Sequence, residues 1–373
     1  MKIIVTGGGG HFSPLFSVIQ ELSATDKVLI IGRKYALEGD SAISLEYQTA
    51  KTLGVSFAAI TTARLQRKFT QHTIPSLFKL PVGLFQAMQV LLTFRPQLIL
   101  SGGSYIALPV VLAATILRIP IVVHEQTLEA GLVNKITAPL ATKICISWET
   151  SAAFFPKSKT ILTGNPIKKE FLEPPHEIKK IYDLGNEQLP LLYVTGGSLG
   201  SHAINVLIEG CIEQLVQQYN VFHQTGDARE FNDFERLTKL KESLPEKLQK
   251  RYSLTKFVAS KDVGSVLWNA TLVIARSGMN TVTDLLYYKK PSILIPLPFS
   301  QNKEQEKNAL FLQKRGLATI LSQNSLTPAL LYEKITQTME HIRGYSAINV
   351  EKDRKLVENA AKHIVSVLRT ISQ

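Results

Sequence analysis

Runs of Val, Ile and Leu recur along the chain, unbroken by alternating polar residues, and each is followed by a turn and a helical stretch. A strand apolar on both faces has to be covered on both, which is the condition of a parallel sheet with helices on each side. The first series predicts strands at Lys2–Thr6, Val28–Ile31, Val55–Ile60, Gln97–Leu100, Ile119–Val123, Lys143–Ile146 and Thr160–Thr163. The pattern then restarts, with strands expected at Leu191–Thr195, Tyr219–Gln224, Ser253–Phe257, Leu272–Ala275, Ser292–Ile295 and Ala318–Leu321. Two successive βαβ series predict an α/β chain of two doubly wound domains, and 373 residues suit two domains of roughly 100–200 each. The seam falls between Gly164 and Leu189, where Gly164-Asn165-Pro166 is a turn and Glu173-Pro174-Pro175 is linker-like. Domains are therefore expected at residues 1–164 and 165–345. A last helical stretch, with Val350, Leu356, Ala360, Ile364 and Leu368 on one face, either closes the second domain or crosses back to the first.

Composition narrows the partners. A net charge of +12 calls for an anionic one: nucleic acid, a phosphorylated substrate or an acidic membrane. Cys145 and Cys211 stand in no metal-binding spacing, which excludes a disulfide framework and a structural zinc site. The longest apolar stretch, residues 106–123, is interrupted by Pro109, Arg118 and Pro120, so no membrane span is expected. With no signal-peptide pattern at the start, a cytoplasmic protein is expected, one that touches a membrane, if at all, without crossing it.

Four glycine clusters each follow a strand and open a helix: Gly7–Gly10 before His11, Gly102-Gly103-Ser104, Gly196-Gly197-Ser198-Leu199-Gly200, and Arg276-Ser277-Gly278. Such loops present backbone N–H groups and a positive helix end to phosphate oxygens, although glycine also suits an ordinary strand-to-helix turn. Two clusters per half point to two phosphorylated substrates, or to a substrate and a donor. A dinucleotide fingerprint fails, because its third glycine would fall on Phe12 or Ser13, and no Walker pattern is present. The segment Arg276-Ser277-Gly278-Met279-Asn280-Thr281-Val282-Thr283-Asp284 has two readings. Thr281 and Asp284 form the S/T-x-x-D/E pair of a helix start, or Asp284 receives ribose hydroxyls while Arg276 and loop amides neutralise a diphosphate. The polar run 300–308, with Gln305 and Asn308, offers amides suited to sugar hydroxyls or simply to solvent.

At these residues the chain closely resembles the MurG family of UDP-N-acetylglucosamine transferases. The resemblance runs over nearly the whole length, through Gly9-Gly10-His11, Gly102-Gly103-Ser104-Tyr105, His124-Glu125-Gln126, Gly164-Asn165-Pro166, Gly196–Gly200, His223-Gln224-Thr225-Gly226, Arg276-Ser277-Gly278 and Gln305 with Asn308-Ala309. It implies a GT-B fold: two Rossmann-like doubly wound parallel-sheet domains facing a cleft, with residues 346–373 returning to the first. It also implies inverting transfer of GlcNAc from UDP-GlcNAc to the MurNAc 4-hydroxyl of lipid I, giving lipid II in peptidoglycan synthesis. Carried over residue by residue, Ser198, Arg276 and the run Ser277, Gly278, Met279, Asn280, Thr281, Val282, Thr283 and Asp284 contact diphosphate and ribose. Val258 lies against uracil, and Gln305 with Asn308 faces the GlcNAc hydroxyls. The first domain's two glycine loops, with Gly9 and Gly10 in the first of them, take the acceptor's diphosphate, and His11 stands near the reacting centre. Several positions depart from the family's usual pattern: Thr127 for Asn, Lys168 for Arg, Asp284 for Glu, Ser201-His202 for Ala-Arg, and a first loop that is shorter and lacks its Thr.

The expected chemistry is displacement at the anomeric carbon, with the leaving UDP stabilised by helix ends, backbone amides and Arg276; no cofactor and no obligatory metal are expected. His11 suits the base that takes the acceptor's proton, or equally an anion-binding residue at a helix start. Glu125 and His124 are weaker base candidates. Residues 64–85 interleave Arg64, Arg67, Lys68 and Lys79 with Phe69, Ile74, Leu77, Phe78, Leu80 and Phe85, a pattern that suits an anionic membrane surface. A buried helix would account for the apolar residues but not for the cations. The expected location is the cytoplasmic face of the membrane. No basic helix or aromatic platform is organised for nucleic acid. Two other readings fit the same residues: a GT-B transferase with a different glycolipid acceptor, and a non-catalytic UDP-sugar-binding subunit.

Overall fold

The computed structural model describes residues 1–35, 43–62, 79–183, 188–197, 199–228, 230–345 and 350–372. Its first sheet is built from β1 (Lys2–Thr6), β2 (Lys27–Gly32), β3 (Ser56–Ala59), β4 (Leu98–Ser101), β5 (Ile121–Glu125), β6 (Lys143–Ile146) and β7 (Thr160–Leu162). All pair in parallel in the order β3-β2-β1-β4-β5-β6-β7. The unbroken apolar runs have a direct cause in this sheet: both of its faces are covered. Ile4, Ile99 and Val123 face one core with Leu91 of α3 (Lys79–Phe94) and Val110 of α4 (Ser104–Ile116). Their sequence neighbours Ile3, Val5, Leu98 and Val122 face the other, with Leu15 and Val18 of α1 (Ser13–Glu21). The apolar stretch 106–123 divides into α4 and β5, both inside the domain. No helix among the described residues is long and apolar enough to cross a membrane. Two shorter helices of this sheet's unit, α2 (Leu45–Leu53) and α5 (Leu132–Thr137), follow β2 and β5.

The second sheet holds β8 (Leu191–Thr195), β9 (Asn220–Gln224), β10 (Tyr252–Thr255), β11 (Leu272–Ala275), β12 (Ser292–Leu294) and β13 (Ala318–Ile320). They are parallel, in the order β10-β9-β8-β11-β12-β13. Leu192, Val194 and Ile274 pack on Ile204 and Ile208 of α6 (His202–Glu209) and on Leu331 and Ile335 farther along. The helices that matter for the site are α7 (Asp233–Ser243), α8 (Val263–Asn269), α9 (Met279–Tyr287), α10 (Glu304–Gln313) and α11 (Pro328–Glu340).

The chain ends in α12 (Val350–Ser372). Contacts divide the protein into one unit of residues 1–169 with 355–373 and another of 170–354, so most of this helix returns to the first sheet. There Ile364 and Leu368 join the core of Ile3 and Val5, and Arg369 binds Asp26 at 2.8 Å. The fold is thus two doubly wound parallel-sheet domains with the last helix on the first. Relative to the expected edges at 164 and 345, this division groups residues 165–169 with the first unit and 346–354 with the second.

Candidate active site

In an open parallel sheet, ligands bind at the carboxyl ends of neighbouring strands where the winding reverses. In the first sheet that point lies between β1 and β4, and in the second between β8 and β11. The four glycine clusters follow these four strands.

In the first unit the two loops are interlocked. A Cβ on Gly8 would collide with Ile106 and sit 2.8 Å from the Ser104 hydroxyl. Gly103, at φ +80°, is pressed against the Asn134 side chain, so each position admits no larger residue. Gly9 and Gly10 are exposed at the loop's tip. His11 stands on the short 3-10 turn Gly9–Phe12, half-buried, with Nδ1 3.3 Å from the Gln126 amide nitrogen. An amide N–H donating to Nδ1 places the proton of the neutral ring on Nε2; the opposite amide orientation would leave Nε2 as the free base.

The other two base candidates are closed off. Glu125 has no exposed surface. Its Oε1 accepts from the Thr127 N–H (2.9 Å) and hydroxyl (2.6 Å), and its Oε2 from Gly131 N–H (2.8 Å) and the Asn134 amide (2.9 Å). Burial pushes His124 down to about 4, so the ring is neutral, with Nε2 3.1 Å from the Ser147 hydroxyl. Thr127 is buried and turned onto Glu125, while Lys168 is half-buried beyond β7.

In the second unit, Ser198 lies outside the described residues, but the rest of its loop is held from beneath. The Tyr193 hydroxyl donates to the Gln224 carbonyl at 2.8 Å, and the Gln224 amide donates to Gly197 O at 3.2 Å. The Thr195 hydroxyl accepts from Gly197 N–H at 3.0 Å. Arg276 is turned inward. It is buried, donating through Nε and Nη2 to the Ser201 hydroxyl (3.1 and 2.8 Å), through Nη1 to Ile295 O (2.9 Å) and through Nη2 to the Gln323 carbonyl (2.6 Å). Burial lowers the guanidinium to about 10, which still leaves it charged at neutral pH, and no carboxylate is among these acceptors. Nothing in the sequence spacing of Ser201 and Gln323 reveals them as partners of Arg276.

The helix-start reading of Thr281 and Asp284 does not hold. Gly278 is the N-cap of α9, so Thr281 is its third residue and Asp284 stands in the second turn. Asn280, Thr281 and Asp284 share a half-buried face, whereas Met279, Val282 and Thr283 point into the core. Ser277 and the two amides tie loops together: Ser277 Oγ donates to Gln305 O (2.7 Å), Asn308 donates to Ser277 O (3.0 Å), and the Gln305 carbonyl accepts from Leu297 N–H (3.0 Å). Asn308 is fully buried. Val258 is half-buried just past β10.

Side-chain caps are the exception among the described helix starts. The helices α2 and α11 are closed by their own caps, with Ser44 and Thr327 accepting from Tyr47 and Leu330 N–H, each at 3.2 Å. At the switch points α4, α6 and α9 begin at Gly103, Ser201 and Gly278 with no side-chain cap, as do α1, α5, α7, α8 and α10, and the Ser201 hydroxyl is engaged by Arg276. Uncapped first turns at a strand's carboxyl end suit an external anion.

Comparison with known proteins accords with this geometry. Residues 2–146 match the Glycosyltransferase family 28 N-terminal domain, and residues 191–366 match the Glycosyltransferase family 28 C-terminal domain. A Clostridium kluyveri protein named UDP-N-acetylglucosamine--N-acetylmuramyl-(pentapeptide) pyrophosphoryl-undecaprenol N-acetylglucosamine transferase is 30% identical over 372 residues, covering 98% of each chain. The chain belongs to glycosyltransferase family 28. Another member, a Clostridium botulinum protein with the same name as the C. kluyveri one, is 29% identical over 374 residues, covering 99% of this chain and 98% of its own. The crystal structure of MurG from Acinetobacter baumannii shares the fold, with a TM-score of 0.71 at 24% identity and 99% of each chain covered. In this family-28 chain the four glycine loops thus form two pairs, one at each sheet's switch point.

Proposed function

We propose that this family-28 chain transfers N-acetylglucosamine from UDP-N-acetylglucosamine to the lipid-linked N-acetylmuramyl acceptor lipid I, forming lipid II. The observation that carries this reading is the coincidence of all four glycine loops with the two switch points. The relatives' names supply the substrates. On this reading the donor's diphosphate lies at the starts of α6 and α9, with Ser198 and Gly278 beside it. The buried Arg276 adds charge from below, and Asp284, Asn280 and Thr281 meet the ribose. Val258 borders the uracil, while Gln305 and Asn308 shape the sugar pocket by fixing the loops around Ser277. The acceptor hydroxyl attacks the anomeric carbon as the bond to the phosphate oxygen breaks, inverting that centre. UDP leaves with the electron pair, stabilised by preorganised amides. The acceptor's proton passes to a base, and His11 is the residue placed beside the first unit's loops to take it.

We also place the acceptor's lipid at residues 64–85 on the membrane's cytoplasmic face. Residues 64–78 of that stretch lie outside the described residues; on the described part of α3, Val82 and Phe85 are 49% and 64% exposed. One assay tests both statements: labelled UDP-GlcNAc offered with lipid I, in detergent and in anionic vesicles, and with diacylglycerol. The expected product is lipid I plus one N-acetylhexosamine by mass. Replacing Lys68 and Lys79 by Glu is expected to slow transfer about tenfold or more in vesicles and little in detergent. Transfer to diacylglycerol alone would establish a different acceptor. Donor binding without turnover would make the chain a binding subunit, and equal vesicle rates would remove the membrane patch.

A further inference from the structure

Glu46 is the second residue of α2, a helix whose start is already closed by the Ser44 hydroxyl. An acid in a first turn ordinarily stands in water, where it complements the helix dipole. Glu46 is instead 1% exposed. Two glycines make room for it, one at the end of β2 and one in the first glycine loop. A Cβ on Gly32 would stand 3.0 Å from the Glu46 Cβ, and one on Gly8 would stand 3.1 Å from Glu46 Oε1. The carboxyl thus lies against the first loop, and α2 packs on the turn Gly9–Phe12 that carries His11.

This is an unfavourable place for a carboxyl. Its Oε1 makes no hydrogen bond among the described residues, and burial raises the group above its ordinary value. The N–H of Glu46 itself, the Ser44 hydroxyl, Arg33 and the Gly9 N–H draw it back in part. Arg33 is held over the Tyr105 ring of α4, 5.1 Å from its centroid. An apolar side chain of the same length would fill the space without the penalty, so the acid calls for another reason. Gly9 supplies one. It stands at φ +58° on the exposed tip of the loop, with nothing within 4 Å of an added Cβ. Open on that side, the tip is tethered inward where its N–H meets the Glu46 carboxyl.

We propose that Glu46 is a positioning residue, holding Gly9 from within so that the first loop and His11 keep the shape that receives the lipid-linked acceptor. The proposal rests on the reading that assigns the first unit's glycine loops to that acceptor. Glu46 is closed off from substrate and acts through Gly9. What the position requires is an oxygen acceptor at full side-chain length, not a charge.

The test is steady-state transfer from UDP-GlcNAc to lipid I by the full chain, reading acceptor KM and kcat separately, with UDP-GlcNAc affinity from calorimetry. E46Q keeps an acceptor oxygen at the same reach and is expected to stay within about threefold of wild type in acceptor KM. E46D keeps the acid but falls one methylene short. It is expected to raise acceptor KM about tenfold or more while leaving donor affinity unchanged. G9A alters an exposed residue, so it folds whatever E46D does, and its strain at φ +58° is expected to raise acceptor KM likewise. Because both variants loosen one contact, G9A/E46D is expected to be no worse than the poorer single variant. Wild-type KM in E46D or G9A, E46Q as impaired as E46D, losses that multiply in the double variant, or donor affinity that falls in step would each overturn the positioning role while leaving the transferase standing. Wild-type protein that transfers nothing to lipid I would overturn the acceptor reading, and this proposal with it.

Discussion

Four donors converge on the Glu125 carboxylate in a space closed to water, and this fixes what replacing it does. In E125Q one oxygen becomes an NH₂ facing the N–H groups it used to accept from. Bonds to a charged acceptor are worth about 1.5–3 kcal/mol each, so losing one of the two pairs is expected to cost about 3 kcal/mol or more of stability. Urea denaturation reads this directly, and protein still folded should keep its affinity for UDP-GlcNAc. An unchanged midpoint together with abolished transfer would instead return Glu125 to the chemistry. Arg276 shows the limit of sequence at this scale. Its place in a glycine-rich turn is plain, but its direction depends on Ser201 and Gln323, residues 75 and 47 positions away. No local pattern encodes such a partner.

At the scale of elements, the strands were legible because burial on both faces leaves an unbroken apolar run; β1, β6, β8 and β11 have the bounds expected from sequence. Helix starts were less so. Thr281 and Asp284 have the spacing of a cap, yet α9 begins two residues earlier at Met279, where Gly278 leaves the first turn open. The site was legible as four glycine loops, while their pairing at the switch points required the strand order. Gly164 illustrates a constraint only tertiary structure reveals. It sits at φ +90°, and a Cβ there would collide with the backbone carbonyl of Leu356 in α12. G164A is expected to cost about 1–3 kcal/mol and to speed hydrogen exchange along α12. Unchanged stability with equally slow exchange would show that the contact is not needed to dock the helix.

Over the whole molecule, each unit buries a neutral histidine, His124 in the first and His223 in the second, which burial pushes down to about 4 and about 3. Below a pH of about 6.5 the unfolded chain binds protons at these rings and the folded chain does not, so stability falls as pH falls. Each ring accounts for a loss of about 3–5 kcal/mol by the time its folded value is reached. Denaturation midpoints that decline steadily from about pH 7 to about pH 4 are expected, and a flat profile would contradict this. The central claim concerns the other property both units share, a switch point with open helix starts. Its most direct test is amide NMR of the ¹⁵N-labelled protein titrated with UDP-GlcNAc. The account predicts saturable shifts confined chiefly to residues 196–204, 276–284 and 305–308 and to Val258; shifts confined to other parts of the chain, or none at all, would contradict it.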